Sequence, residues 1–344
     1  MMLLGLRGTG KTVLLNEIGK IARAEGLLAS KVESPENETL ARLLYPEMRK
    51  VMRALSTTEA AKQTANAGLR ALKGFASIFK IDIAGIEISV DAEPGVADSG
   101  DLQYDLPDLF RVIGQAAQAA DRGWLLLIDE VQYLSQKDLA ALIVAIHQTA
   151  QEGLPVLLIG AGLPQVARLA GDAKSYAERL FLYPNVGPLS PEDAALAVEK
   201  PLTQEGAHIE PAALDMIITR TCGYPFFLQE WAYTAWNDAQ GTLITSNDVT
   251  QAYTETLATL DAGFFRVRTD RLTKTELQFV RAMANLGDGP YAVTDIVAAL
   301  GRTQSSIAPM RASIINKGVI YSTDHGYLDF TVPLFAQYIQ RQYA

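Results

Sequence analysis

The sequence predicts an α/β chain: a parallel sheet with helices on both faces, followed by a helical lid and a winged helix-turn-helix domain. Three observations carry that expectation. The stretch Gly5-Leu6-Arg7-Gly8-Thr9-Gly10-Lys11-Thr12 fits G-x-x-x-x-G-K-[ST] between a short apolar stretch and an amphipathic helix. Leu125–Asp129 and Val156–Ile159 are apolar runs without alternation, the pattern of strands covered on both faces. Beyond Arg268, three helical stretches lead into two strands around Asp324-His325-Gly326.

Composition bounds the possibilities. The chain has 344 residues, room for two or three domains at roughly 100–200 residues each. Apolar residues make up 49% and charged residues 20%, enough to bury a sizeable core. The net charge of −9 argues against a molecule that binds polyanions over its whole surface, although a basic patch on one domain stays open. Cys222 is the one cysteine, which excludes an internal disulfide and a cysteine-based zinc site and fits a reducing, cytoplasmic setting. His147, His208 and His325 lack metal-ligand spacing. No apolar run approaches the roughly 18 residues of a membrane span, and the four apolar residues at the start are cut short by the Gly-rich loop, unlike a signal peptide.

The elements follow in order. Met1–Leu4 reads as a short strand. Lys11 to Glu25 reads as a helix with Val13, Leu14, Ile18 and Ile21 on its apolar face, and Leu27–Val32 as the next strand. Glu33 to Asp105 interrupts the alternation with an Ala-rich helical stretch and a hairpin around Ala84-Gly85, so an insertion is expected at about 53–104. Ser135 caps a helix reaching Gln151, with Leu139, Leu142, Ile143 and Ile146 as its stripe. Strand–helix alternation of this kind implies a parallel sheet. Ser190, Pro191 and Asp193 start a new helix, where the second domain begins. The expected domains are 1–187, a helical lid over 188–265, and a winged helix over 266–344. The last holds helices at Thr273–Asn285, Thr294–Leu300 and Gln304–Lys317.

Chemistry enters through five stretches. In Gly5–Thr12, glycines let successive N–H groups face phosphate oxygens, with Lys11 reaching the β- and γ-phosphates and Thr12 holding Mg²⁺. Gly5, Leu6, Arg7, Gly8, Thr9, Gly10, Lys11, Thr12 and Val13 are therefore candidate nucleotide contacts. A Gly-rich strand–helix turn without a ligand is the plain alternative. The run "GWLLLIDEVQYL" ends its strand in Asp129-Glu130: a carboxylate placed to coordinate Mg²⁺ and a glutamate placed to orient or deprotonate the attacking water, or else an ordinary strand end. Arg179 is a candidate for stabilising transition-state charge on a neighbouring subunit's nucleotide, or a surface arginine paired with Glu178. Gly223-Tyr224-Pro225 breaks the helical region. Pro225 is a candidate adenine contact, and the aromatic residues behind it read as core. Gln304–Lys317 reads as a recognition helix, offering Arg302, Gln304, Ser305 and Arg311 to duplex DNA. Yet only eight basic residues stand against six acidic from Arg268 onward, which equally suits a protein partner.

Together these stretches resemble the AAA+ P-loop ATPases, in the branch of origin-recognition-like and STAND-related ATPases. Gly5–Thr12 stands as Walker A, Leu125–Glu130 as Walker B, Gly223-Tyr224-Pro225 in the lid, and a winged helix at the C-terminus. The resemblance implies ATP and Mg²⁺ as cofactors, ATP hydrolysis, and a switch that engages DNA, oligomerises or captures a protein partner. Three departures stand out. The strand after Walker B ends in Ile159-Gly160-Ala161-Gly162 with no polar side chain until Gln165, which implies slow hydrolysis or none. The lid carries no clear sensor arginine. Such proteins also usually carry an upstream segment that helps hold adenine, so Met1–Leu4 reads as the tail of a strand that begins earlier.

Overall fold

The computed structural model describes residues 1–35, 38–81 and 96–343. They form two compact units: Met1–Gly5 with Lys11–Asn185, and Leu6–Gly10 with Val186–Ala344. The hairpin expected around Ala84-Gly85 lies outside the described residues.

The first unit runs β1 (Met2–Leu4), α1 (Lys11–Ala24), β2 (Leu28–Glu33), α2 (Leu40–Leu55), α3 (Lys62–Ile78), α4 (Leu102–Ala119), β3 (Trp124–Asp129), α5 (Gln136–Gln151), β4 (Val156–Gly162), α6 (Val166–Ala173) and α7 (Ala177–Leu180). Its four strands are parallel in the order β1-β4-β3-β2, the P-loop NTPase fold. Short as it is, β1 is held on both sides: beyond its pairing with β4, the Met2 and Leu4 N–H groups donate to Leu182 O at 2.7 Å and Pro184 O at 2.9 Å.

The two sheet faces are covered unequally. Trp124, Leu126 and Ile128 of β3 join a core with Leu44, Met48 and Met52 of α2, Phe75 of α3, Phe110 of α4 and Leu142 of α5. Phe75, which falls in the stretch expected as an insertion at about 53–104, is one of these core residues. On the other face, α1 lies close enough that a Cβ added to Gly19 would sit 3.0 Å from Leu127 Cδ1. The sequence predicted Val13, Leu14, Ile18 and Ile21 as the buried stripe of α1. The structure buries Lys11, Leu15, Gly19 and Ala22 instead and leaves Val13 62% and Ile21 63% exposed. Small residues permit the close approach, and a hydrophobicity count overlooks them. Leu157 of β4 is also 55% exposed, so that strand is not covered on both faces.

The second unit contains α8 (Pro191–Gln204), β5 (His208–Ile209), α9 (Pro211–Thr221), α10 (Pro225–Asp238), β6 (Leu243–Ile244) and α11 (Ser246–Thr259). It continues with α12 (Arg266–Thr269), α13 (Lys274–Ala284), β7 (Tyr291–Ala292), α14 (Val293–Leu300), α15 (Gln304–Asn316), β8 (Ile320–Asp324), β9 (Tyr327–Phe330) and α16 (Phe335–Tyr343). The parallel pair β5–β6 interrupts a region that the sequence reads as helical throughout. A π-helical turn, Leu260–Phe265, joins α11 to α12 without a break, and Phe265 stacks on Tyr338 with centroids 5.1 Å apart. One apolar cluster accordingly runs from Phe227 and Trp231 to Phe279 and Phe335.

Glu276 fixes α15 against α13. Its carboxylate accepts from Ser313 Oγ at 2.6 Å, Lys317 Nζ at 2.6 Å and the Thr273 N–H at 2.6 Å, while Thr273 Oγ1 caps α13 in return. Burial pushes the Glu276 carboxyl up, but hydrogen bonds from Lys317, Ser313 and Thr273 outweigh it and hold it at about 2. With the folded value below the unfolded one, this group's stabilisation is complete above the usual carboxylate value of 4.5 and is lost as pH falls toward 2. Glu276→Gln is expected to cost roughly 2 kcal/mol at neutral pH and to flatten the stability slope in that acid window. Denaturant unfolding at a series of pH values checks both.

Candidate functional site

The glycine-rich loop leaves β1 and enters α1 in six residues, a path that needs left-handed backbone. Gly8 has φ +87° and Gly10 φ +85°, values that side chains rarely tolerate. The Gly5 N–H donates to Gly162 O at 3.1 Å, tying the start of the loop to the end of β4. Thr9 Oγ1 donates to Leu6 O at 3.0 Å, closing a local turn. The α1 helix begins at Lys11, so its first N–H groups and the positive end of its dipole face the loop. Lys11 is only 7% exposed, and its ammonium donates to Gly5 O at 2.9 Å. Residues 6–10 pack within the second unit, where the Arg7 N–H donates to Thr331 O at 3.2 Å and the Phe226 N–H to Gly8 O at 3.2 Å.

The acidic pair lies at the end of β3. Asp129 is 2% exposed; its Oδ2 accepts from Thr12 Oγ1 at 2.6 Å and its Oδ1 from the Glu130 N–H at 3.0 Å. Glu130 leaves the strand in the left-handed region at φ +55°, which turns the chain sharply into the 3₁₀ turn Val131–Tyr133. Thr12 and Asp129 thus place a hydroxyl and a carboxylate oxygen side by side. This hard-oxygen pair suits Mg²⁺, which takes one or two protein ligands and completes its shell with phosphate and water.

The structure brings Thr12 and Asp129 together, with Lys11 and Glu130 next to them in the chain. Val13 follows on the exposed side of α1. Arg179 lies exposed on α7, and no ion pair with Glu178 is found among the described residues. Pro225 occupies the first position of α10. Ahead of it, Gly223 has φ +70°, and a Cβ there would fall 2.5 Å from Leu189 O, so the turn requires glycine. Tyr224 beside it is buried, and burial pushes its phenol well above the usual range. Arg302, Gln304 and Ser305 are exposed. Gln304, Ser305 and Arg311 line one groove of about 420 Å³ with Val293, Ile307 and Ala308. Lys317, just past the end of that helix, is committed to Glu276. His147 packs on Tyr176 with ring centroids 4.6 Å apart.

Sequence reasoning missed Gln132. Its Nε2 donates to Glu130 Oε2, and its Oε1 accepts the Leu163 N–H at 3.1 Å. The only signal in the sequence is a carboxamide two residues after Glu130.

Residues 1–159 match the AAA ATPase domain family, and residues 262–339 match a domain of unknown function, DUF8462. No curated protein matches the chain. Among solved structures, a Walker-type ATPase of Pyrococcus abyssi superposes with TM-score 0.59 at 16% identity, covering 99% of this chain and 90% of that one. RuvB of Thermotoga maritima gives TM-score 0.47 at 13% identity, with 100% of this chain and 87% of that one covered. Orc1 of Aeropyrum pernix, solved in complex with DNA, gives 0.42 at 14%, with 99% and 86% covered. The N-terminal part of the chain is thus similar to AAA ATPase domains, and the fold is shared with that Walker-type ATPase. Among the described residues, no helix is long and apolar enough to cross a membrane.

Gly8→Ala tests the loop geometry. The new Cβ would sit 3.1 Å from Phe226 Cβ at a φ of +87°, and the change is expected to cost about 1–3 kcal/mol of stability. Thermal unfolding without nucleotide measures it.

Proposed function

We propose that the protein binds ATP with Mg²⁺, hydrolyses it slowly, and acts as a nucleotide-controlled switch whose C-terminal module engages DNA. The observation that carries the nucleotide reading is the 2.6 Å hydrogen bond from Thr12 to Asp129, which joins the two expected metal ligands beside the glycine-rich loop. ATP would lie along Gly5–Val13, with the Lys11 ammonium exchanging Gly5 O for phosphate oxygen. Mg²⁺ supplies charge neutralisation on the phosphates when bound, held through Thr12 and Asp129. Glu130 takes the proton of the attacking water or orients it. Pro225 packs on adenine, and Arg179 reaches the nucleotide of a neighbouring copy in a homo-oligomer. ATP and ADP must bind two arrangements of the chain with different affinity for this to be a switch.

The DNA reading treats α13, α14, α15 and the β8–β9 hairpin as a winged helix-turn-helix, with the 188–265 segment as the lid. Support comes from the groove that gathers Gln304, Ser305 and Arg311 and from exposed Arg302. A second reading, a STAND-like signalling or scaffold ATPase whose module captures protein, is favoured by one observation. The Lys317 charge is neutralised by Glu276 at 2.6 Å, which leaves this face with few cations for phosphate.

Two experiments test these readings. Lys11→Ala is expected to abolish binding of fluorescent ATP, and Glu130→Gln to keep binding while lowering turnover by about 10²–10⁴-fold. Normal affinity in the first variant, or a wild-type rate in the second, would refute the assigned roles. In fluorescence anisotropy, duplex DNA is expected to bind at low salt and to weaken steeply as salt rises, with Arg302→Ala and Arg311→Ala each reducing affinity. No binding at low salt would select the protein-partner reading.

A further inference from the structure

Gln132 connects two strand ends that the nucleotide reading treats separately. Its carboxamide bridges the Glu130 carboxylate and the Leu163 N–H. A carboxylate needs a donor and an N–H needs an acceptor, so only one orientation of the amide satisfies both. The space it fills is also specific. A Cβ added to Gly162 would fall 2.6 Å from Gln132 Oε1, so the residue ending β4 is small where this side chain lies. Gly162 O in turn accepts the N–H of Gly5, the first residue of the phosphate loop.

We propose that Gln132 is a positioning residue for ATP hydrolysis: it clamps the Glu130 carboxylate to the end of β4 and, through Gly162, to the start of the phosphate loop. This rests on the reading of Glu130 given above. The strand end 160–162 carries no polar side chain, and Gln132 supplies a carboxamide there from the neighbouring turn. Glu130 needs such a clamp. It sits one residue beyond the strand, in left-handed backbone at φ +55°, and a long carboxylate side chain has several rotamers to lose before it can hold a water in line.

Full-length protein decides this by steady-state and single-turnover hydrolysis, with nucleotide affinity measured in parallel. Gln132→Ala is expected to lower kcat on the order of 10- to 100-fold with affinity for an ATP analogue within about twofold of wild type. Adding Gln132→Ala to Glu130→Gln is expected to cost nothing more, because the group being positioned has already lost its function. Gly162→Ala, whose new Cβ would meet Gln132 Oε1 and Val166 Cγ2 each at 2.6 Å and so shift the carboxamide without removing it, is expected to lower kcat in the same way. A wild-type kcat in Gln132→Ala beside an inactive Glu130→Gln overturns the proposal while leaving the nucleotide reading intact. A further loss in the double variant equal to that of the single change assigns Gln132 a purely structural role and also overturns it. A wild-type rate in Glu130→Gln removes the reading of Glu130, and the proposal with it. If Gln132→Ala fails to bind nucleotide, Gly162→Ala decides, and a wild-type kcat there overturns the proposal.

Discussion

The hydrogen bond from Thr12 Oγ1 to Asp129 Oδ2, 2.6 Å long, joins the first turn of α1 to the end of β3, and much of the first unit is arranged around it. Asp129 is nearly inaccessible to water, and a buried carboxylate without partners would cost several kcal/mol. One oxygen takes Thr12; the other takes the Glu130 N–H, and Glu130 itself turns left-handed directly after the strand. That turn brings Gln132 back toward the end of β4. Farther along α1, Gly19 leaves room for Leu127 of the sheet, while Leu15 is fully buried.

The legible parts of the site were those whose chemistry fixes a local spacing. Gly8 and Gly10 read as glycines of a phosphate loop because left-handed backbone is needed within a few residues of Lys11. Asp129-Glu130 read as a site because an apolar strand ends there. Gln132 escaped because its meaning depends on Leu163, 31 residues away, and no local pattern contains that distance. The apparent lack of a polar group at the end of β4 was a true reading of the strand and an incomplete reading of the place.

The fold was legible to the same depth. The strands and most helices lie close to where periodicity put them, but facing and partition were harder. Counting only large apolar residues rotated α1 to the wrong face, because its contact with Leu127 is made by a glycine. Phe75 lies in the stretch at about 53–104 that looked like an insertion, yet it joins Leu44, Met48 and Met52 in the main core. The break expected near 265 coincides with a π-helical turn that carries the helix onward. Its Phe265 packs on Phe335 and Tyr338, far along the chain.

Two buried carboxylates, Asp129 and Glu276, show how similar physics yields different roles. Glu276 takes a lysine, a hydroxyl and a backbone N–H, so its charge is matched inside the protein and it acts as a strut between α13 and α15. The donors on Asp129 are a hydroxyl and a backbone N–H, both neutral. They satisfy its lone pairs and bring no formal charge of their own. The difference lies in the charge of the donors rather than their number, and it makes Glu276 a mechanical support between two helices.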